Sequence, residues 1–461
     1  MTTDPRSAAA EDAVRPVGRA SVGLVGKAAT IPIGHLLGDS VVPTPQGTSR
    51  RRSLRLPAFW LLVVALTIGL WRMSMLVSAA FVRFPVATVV AAALFILYAV
   101  PFVIVARSID FFEPEPALLV GAAVGWGAVV ATMTAISGNT AARAIVAKLV
   151  SPAFATAWGP AIIGPTLEEV LKTLGVVVIV LVARRQVNSV ADGAVYGAFV
   201  GLGFQCVENF VDACNAVVLS GRGDSVQPVI VTFLLRGFLA GLWSHTLFSA
   251  LAGAGVAYFV VHRRNQPFVR RLGVAVAGVA GAWLFHFVWN SPWFADGFGY
   301  GGLGVLAGLI VKGAPALVLI ALLVRSASGR EADFYVGTLL TLGDPRIITT
   351  REVATLRTGR RRVAARRYAF ARGGRVAKKV VRDLQRAQAQ LALDLSRGGR
   401  RAYPLRLRVL VARRRLDAMG HPEAVVPMGH RRDWGGLVVT IALVLLLALV
   451  LTVIIQLVGA S

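Results

Sequence analysis

The feature that most constrains this chain is a series of apolar runs long enough to cross a bilayer. A helix rises about 1.5 Å per residue and a bilayer's hydrocarbon core is about 30 Å thick. An apolar run of roughly 18 residues or more is therefore a candidate span. Such runs lie near 57–82, 85–106, 117–137, 160–183, 190–213, 230–261, 272–290, 303–324 and 435–458. Only 16% of the 461 residues are charged and 56% are hydrophobic, whereas a soluble domain carries about 25% charged residues. That composition excludes a string of soluble domains. In lipid, backbone polar groups must be satisfied within the segment, which makes each run a helix. The expected fold is all-α: a polytopic transmembrane helical bundle of about nine spans, with a basic cytoplasmic segment before the last span. The sixth run is too long for one straight helix, so its start should be partial or tilted. The stretch 139–158, interrupted by Arg143, Lys148 and Pro152, reads as an interfacial or re-entrant helix.

Charge sets the orientation. Lys and Arg stay in the cytoplasm, and Arg50, Arg51, Arg52 and Arg55 precede the first span, so the N-terminus is expected inside the cell. Alternation then assigns Arg107, Arg184 and Arg185, and Arg263, Arg264, Arg270 and Arg271 to cytoplasmic loops. Residues 325–434 carry 26 basic against 9 acidic side chains. Four segments follow: a disordered cytoplasmic tail over 1–56, an eight-span domain over 57–324, a basic cytoplasmic segment over 325–434, and a C-terminal transmembrane helix over 435–461. The expected location is the plasma membrane, as a multi-pass protein. Residues 1–49 are polar and lack the apolar core of a cleavable signal peptide. Cys206 and Cys214, if on one helix, stand about 12 Å apart, too far for a disulfide.

Ionisable groups inside spans are costly and therefore functional candidates. The fourth run contains Glu168-Glu169-Val170-Leu171-Lys172, which sets Lys172 over both carboxylates on the neighbouring turn. A structural ion pair accounts for one of these carboxylates, not two. The fifth run carries Gly193, Gly197 and Gly201, a small-residue stripe suited to close helix packing, followed by Glu208 and Asn209. Arg236 and His245 lie in the sixth, and His286 and Asn290, four residues apart and on one face, in the seventh. Counting from the basic loops puts Glu168 about 24 Å from Arg184 and His245 about 27 Å from Arg263. The same count sets His286 about 22 Å from Arg271, so these groups share the outer half of the bilayer. Carboxylates beside neutral imidazoles can hold a water and take its proton, and an imidazole with an amide can donate to an oxyanion. The same Glu and His set suits tetrahedral zinc, but its spacing is not the His-Glu-x-x-His of zincins, which leaves metal the weaker option.

These blocks resemble the PrsW family of intramembrane proteases, within the superfamily that includes the CAAX prenyl proteases. The resemblance runs over about 57–324. Glu168-Glu169-x-x-Lys172 matches the first motif, and Asp192-Gly193-x-x-Tyr196-Gly197 through Glu208-Asn209 the second. Arg236 with His245 is similar to the third, and His286-x-x-x-Asn290 to the fourth. The resemblance implies an intramembrane endopeptidase in which Glu168 activates water with Glu169 supporting it. His286 and Asn290 would stabilise the oxyanion, and Glu208 and His245 would complete the chamber. The prenyl-protease branch has His where this chain has Glu208. No cofactor is expected, with zinc on Glu168, His245 and His286 as the alternative. The implied substrates are single-pass membrane proteins such as anti-sigma factors.

An ion-coupled transporter or channel would also use buried acids and His, but no inverted repeat is visible. In 325–434, Val380, Leu384, Ala387, Leu391 and Leu395 recur at helical steps among many arginines. This amphipathic helix is expected to meet anionic lipid. Nucleic acid is disfavoured, since no aromatic interleaving accompanies the charge. Arg72 and Lys312 are expected to snorkel or pair.

Overall fold

The computed structural model describes residues 54–426 apart from 110, 241–243, 295–298 and 422. The last expected span, 435–458, and most of the N-terminal tail lie outside the described residues. The described residues are helical with no strand. Eight of the expected runs coincide with helices, and seven helices are long and apolar enough to cross a membrane. They are α1 (Pro57–Arg83), α2 (Pro85–Ile109), α3 (Ala117–Leu149), α6 (Val190–Ser220), α8 (His245–Val261), α9 (Phe268–Asn290) and α10 (Gly301–Leu340). Helix α5 (Gly159–Val182) has the length too, but carries Glu168, Glu169 and Lys172 mid-way.

Two runs differ from expectation. Helix α3 passes through Arg143 and Lys148 to Leu149, so 139–149 extends the third span instead of starting an interfacial helix. The break comes at Ser151, whose hydroxyl accepts from Phe154 N to cap the short α4 (Pro152–Ala157). The charged side chains did not end the helix because long cationic chains reach outward from an apolar helix at little cost. The overlong sixth run resolves into α7 (Gln227–Thr232), a π-helical stretch Phe233–Ala240 and, after a break, α8.

Helix α6 is the centre of the bundle, buried along most of its length between α3 and α8. Glycine makes this possible. A Cβ on Gly201 would lie 2.2 Å from His245 O, and one on Gly127 of α3 would lie 1.9 Å from Val200 O. Ser189 and Asp192 form a capping box that starts α6.

Two polar clamps order the ends. The Asp224 carboxylate accepts from Val86 N and Ala87 N at 2.8 Å each, which joins the α1–α2 and α6–α7 turns. At the opposite end, Glu113 accepts from Asn188 Nδ2 (2.5 Å), Tyr335 Oη (2.7 Å) and Arg397. Through Glu113 the segment after α2, the α5–α6 turn and the basic region are held together.

Helix α10 runs unbroken past residue 324, so the basic region grows out of a span. Its far half packs with α11 (Thr350–Arg357), α12 (Gly359–Ser396) and α13 (Ala402–Asp417) around Leu339, Leu356, Val381, Leu384, Leu391 and Leu416. The amphipathic stripe of α12 thus faces a protein core. Buried Glu352 fixes the packing, taking Arg413 Nη2 at 2.6 Å, Gln388 Nε2 at 3.0 Å and Ala424 N at 3.0 Å.

Candidate active site

Helix α5 presents Glu168, Glu169 and Lys172 to the interior because i, i+3 and i+4 lie on one face. All three are buried. Lys172 Nζ is 2.6 Å from Glu169 Oε1, 3.7 Å from Glu168 Oε2 and 2.8 Å from His245 Nδ1, and it lies 4.4 Å over the Phe204 ring. One ammonium therefore serves both carboxylates that the sequence set side by side.

The two imidazoles enter from α8 and α9. His245 is the first residue of α8 and His286 lies near the end of α9. Their rings stand edge to face with centroids 4.8 Å apart. Each ring has one nitrogen on a carboxylate: His245 Nε2 meets Glu208 Oε2 at 2.9 Å, and His286 Nδ1 meets Glu169 Oε1 at 2.8 Å. The opposite nitrogens, His245 Nδ1 and His286 Nε2, are each 3.9 Å from Glu168 Oε2. That oxygen is buried with no hydrogen-bond partner. A buried carboxylate oxygen with an ammonium at 3.7 Å but no hydrogen bond can still take a further ligand. The atoms offered by Glu168, His245 and His286 lie within 4.8 Å of one another.

Every residue expected in the site is brought to it. Asn290 Nδ2 reaches His286 Nε2 at 3.0 Å and donates to Pro160 O at 3.0 Å. Glu208 is drawn outward by Arg236, whose Nη2 bonds it at 3.0 Å and Asp212 at 2.9 Å, while Nε donates to Asn209 Oδ1 at 3.0 Å. Side-chain exposure climbs from 5% at Glu168 and 7% at His245 to 25% at Glu208 and 42% at Arg236. This gradient makes a polar path from the buried cluster to the surface. Arg236 sits in the π-helical stretch, a geometry often found at functional sites.

Two members escaped the sequence reading. Asn139 Nδ2 donates to Glu168 Oε1 at 3.0 Å and orients that carboxylate. It lies in the part of α3 expected to be interfacial, and only recognising the helix as continuous would have exposed it. Asp212 was visible as a second acid four residues beyond Glu208, on the same face.

The donor set fits a metal. Two His and one Glu are the ligand types of catalytic zinc sites, and a carboxylate on the far nitrogen of each His is the usual outer support. Directly paired here are four carboxylates (Glu168, Glu169, Glu208, Asp212) and two cations (Lys172, Arg236). With neutral imidazoles, a divalent ion would balance the charge.

Among known proteins, neither a curated protein nor a solved structure matches the chain. The family whose model matches is described as PrsW family intramembrane metalloprotease, over residues 115–328. That range spans α3 to the middle of α10 and includes Asn139, the Glu-Glu pair, both imidazoles and Asn290. Over residues 115–328, then, the chain is similar to the PrsW family of intramembrane proteases.

Proposed function

We propose that the protein is an intramembrane endopeptidase whose Glu168, His245 and His286 hold a zinc ion. The observation that carries this is Glu168 Oε2, buried without a hydrogen bond and facing two imidazole nitrogens, each imidazole fixed from behind by a carboxylate. Sequence spacing ranked zinc lower; convergence from three helices reverses that order, because ligands need not share one helix. Zinc supplies Lewis-acid polarisation of a carbonyl and activation of water. The chain's own groups do the rest. Glu208 and Glu169 fix the tautomer and tilt of His245 and His286. With His286 Nε2 on the metal, the Asn290 N–H that meets it here would be free for an oxyanion, and Asn139 orients Glu168. The Glu208–Arg236 path gives water a polar route inward.

One observation favours a second reading. Lys172 Nζ lies 2.8 Å from His245 Nδ1, so an ammonium already occupies one side of the donor triangle. In that reading Glu168 takes a proton from water, the hydroxide adds to the scissile carbonyl carbon, and the proton passes to the departing amine.

The proposed substrates are single-pass membrane proteins such as anti-sigma factors, cut in the outer half of the bilayer, with the N-terminus of the protease cytoplasmic. The test uses purified full-length protein in lipid with a single-pass substrate. Glu168→Gln should lower the rate 10²–10⁴-fold. Stoichiometric zinc by elemental analysis, with cleavage lost to a chelator and restored by zinc, supports the metal site. Chelator-resistant cleavage that still needs Glu168 establishes the second reading. Ion flux dependent on Glu168 without any cleavage would overturn both.

A further inference from the structure

Away from the buried cluster, a second set of charges stands at the membrane boundary. Helix α10 is uncharged from Gly313 to Val324 and then carries Arg325, Arg330, Glu331 and Asp333, so its apolar span ends at Arg325. A cavity of about 540 Å³ opens across that point. Its floor is apolar, with Ala321 and Leu322 of α10 beside Phe111 and Phe112. Its polar wall carries Arg325, Arg357, Arg360 and Arg362 against the single carboxylate of Glu331.

The arginines are not equivalent. Arg357 is paired with Asp333. Arg362 is buried, donates to Leu356 O at 2.6 Å and lies 3.9 Å over the Phe111 ring. Burial and neighbouring Arg366 push it down to about 10, still cationic at neutral pH. Arg325 and Arg360 make no hydrogen bond or ion pair among the described residues. Ser328 Oγ, buried in the same wall, also has no hydrogen-bond partner. The wall therefore holds uncompensated positive charge and an unused hydroxyl.

The floor decides what kind of anion fits. Val318, Ala321 and Arg325 follow at helical steps, and exposed Leu317 and Val318 continue the apolar surface toward the span. A soluble anion has no use for that continuation. We propose that this cavity binds one anionic glycerophospholipid, its phosphate between Arg325 and Arg360 and its acyl chains along Leu322 and Val318. The site stands apart from the proposed zinc chemistry and holds whichever mechanism operates.

The test is native mass spectrometry of the detergent-solubilised full chain titrated with phosphatidylglycerol or phosphatidylcholine. One phosphatidylglycerol should bind saturably and phosphatidylcholine should not. The double variant Arg325→Ser/Arg360→Ser should weaken binding about 30-fold. Neither side chain has an internal partner, so the fold should survive. Arg400→Ser/Arg401→Ser, which removes equal charge from another exposed part of the basic region, should leave binding unchanged. Millimolar inorganic phosphate should not displace the lipid. Equal loss in both double variants would overturn the proposal in favour of diffuse surface charge. Displacement by phosphate, or tighter binding of an oligonucleotide at the same arginines, would overturn it in favour of a soluble anion.

Discussion

Lys172 is the residue on which the buried cluster turns. It is fully buried and touches Glu169, Glu168 and His245 at once. Removing one partner of a buried ion pair leaves the other charge uncompensated, which costs about 3–5 kcal/mol. Lys172→Met keeps the aliphatic stem against Phe204 while deleting the charge, so it should lower the midpoint of thermal unfolding in detergent well below that of Arg72→Ala. Arg72 bonds Ser137 on the exposed face and has no buried charge to abandon. A Lys172→Met protein as stable as the parent would mean that Glu168 and Glu169 are neutralised by something other than the ammonium. The six expected site residues were legible because carboxylates, imidazoles and amides inside apolar runs are too costly to be incidental. Asn139 was not, because 139–158, interrupted by Arg143, Lys148 and Pro152, reads in the sequence as interfacial and not as part of an apolar run.

Among elements, α6 is the one whose sequence and packing correspond most directly. The small-residue stripe Gly193, Gly197 and Gly201 predicted close approach, and the backbone of α8 lies against it. Gly201→Val should be severely disruptive, since the new Cβ would fall 2.2 Å from His245 O and overpacking costs about 1–3 kcal/mol or more. Because His245 is the displaced residue, cleavage should fall together with folded yield. Gly121→Ala in α3 has open space around it and should be neutral or stabilising by about 0.5–1 kcal/mol. Equal behaviour of the two variants in unfolding assays would contradict the tight α6–α8 seam. The amphipathic stripe of α12 was equally legible as a stripe. Its partner was not, because an apolar face can be covered by lipid or by protein, and sequence periodicity does not distinguish them. Leu384 and Leu391 chose a protein core, which leaves Arg360, Arg361, Arg367, Arg372 and Arg375 exposed while Arg362 is buried.

At the scale of the whole molecule, orientation is carried by the loops. The Asp224 clamp and the Glu113 clamp sit at opposite ends of the bundle, so residues 221–226 and the basic region belong to opposite sides of the membrane. If the basic end is cytoplasmic, an external thiol reagent should label Arg222→Cys and not Asn265→Cys, with Cys206 and Cys214 replaced by Ala. The reverse pattern would place the polar layer in the other half of the bilayer and move the proposed cut with it. The boundary expected at 324 falls within α10, and Tyr335 and Arg397 are partners of Glu113. A truncation at 325 would therefore sever a helix and strip a clamp.

The continuity of α10 has a mechanical meaning. Forty residues of helix, with Pro315 inside, extend about 60 Å, twice the hydrocarbon thickness. Near its first third, Lys312 Nζ grips Ser291 O at 2.7 Å, the residue beside Asn290. About 20 Å further along, the same helix carries Arg325. A tilt imposed where the helix leaves the bilayer therefore meets Pro315, where one backbone hydrogen bond is missing, before it reaches Lys312 and the end of α9 that carries Asn290.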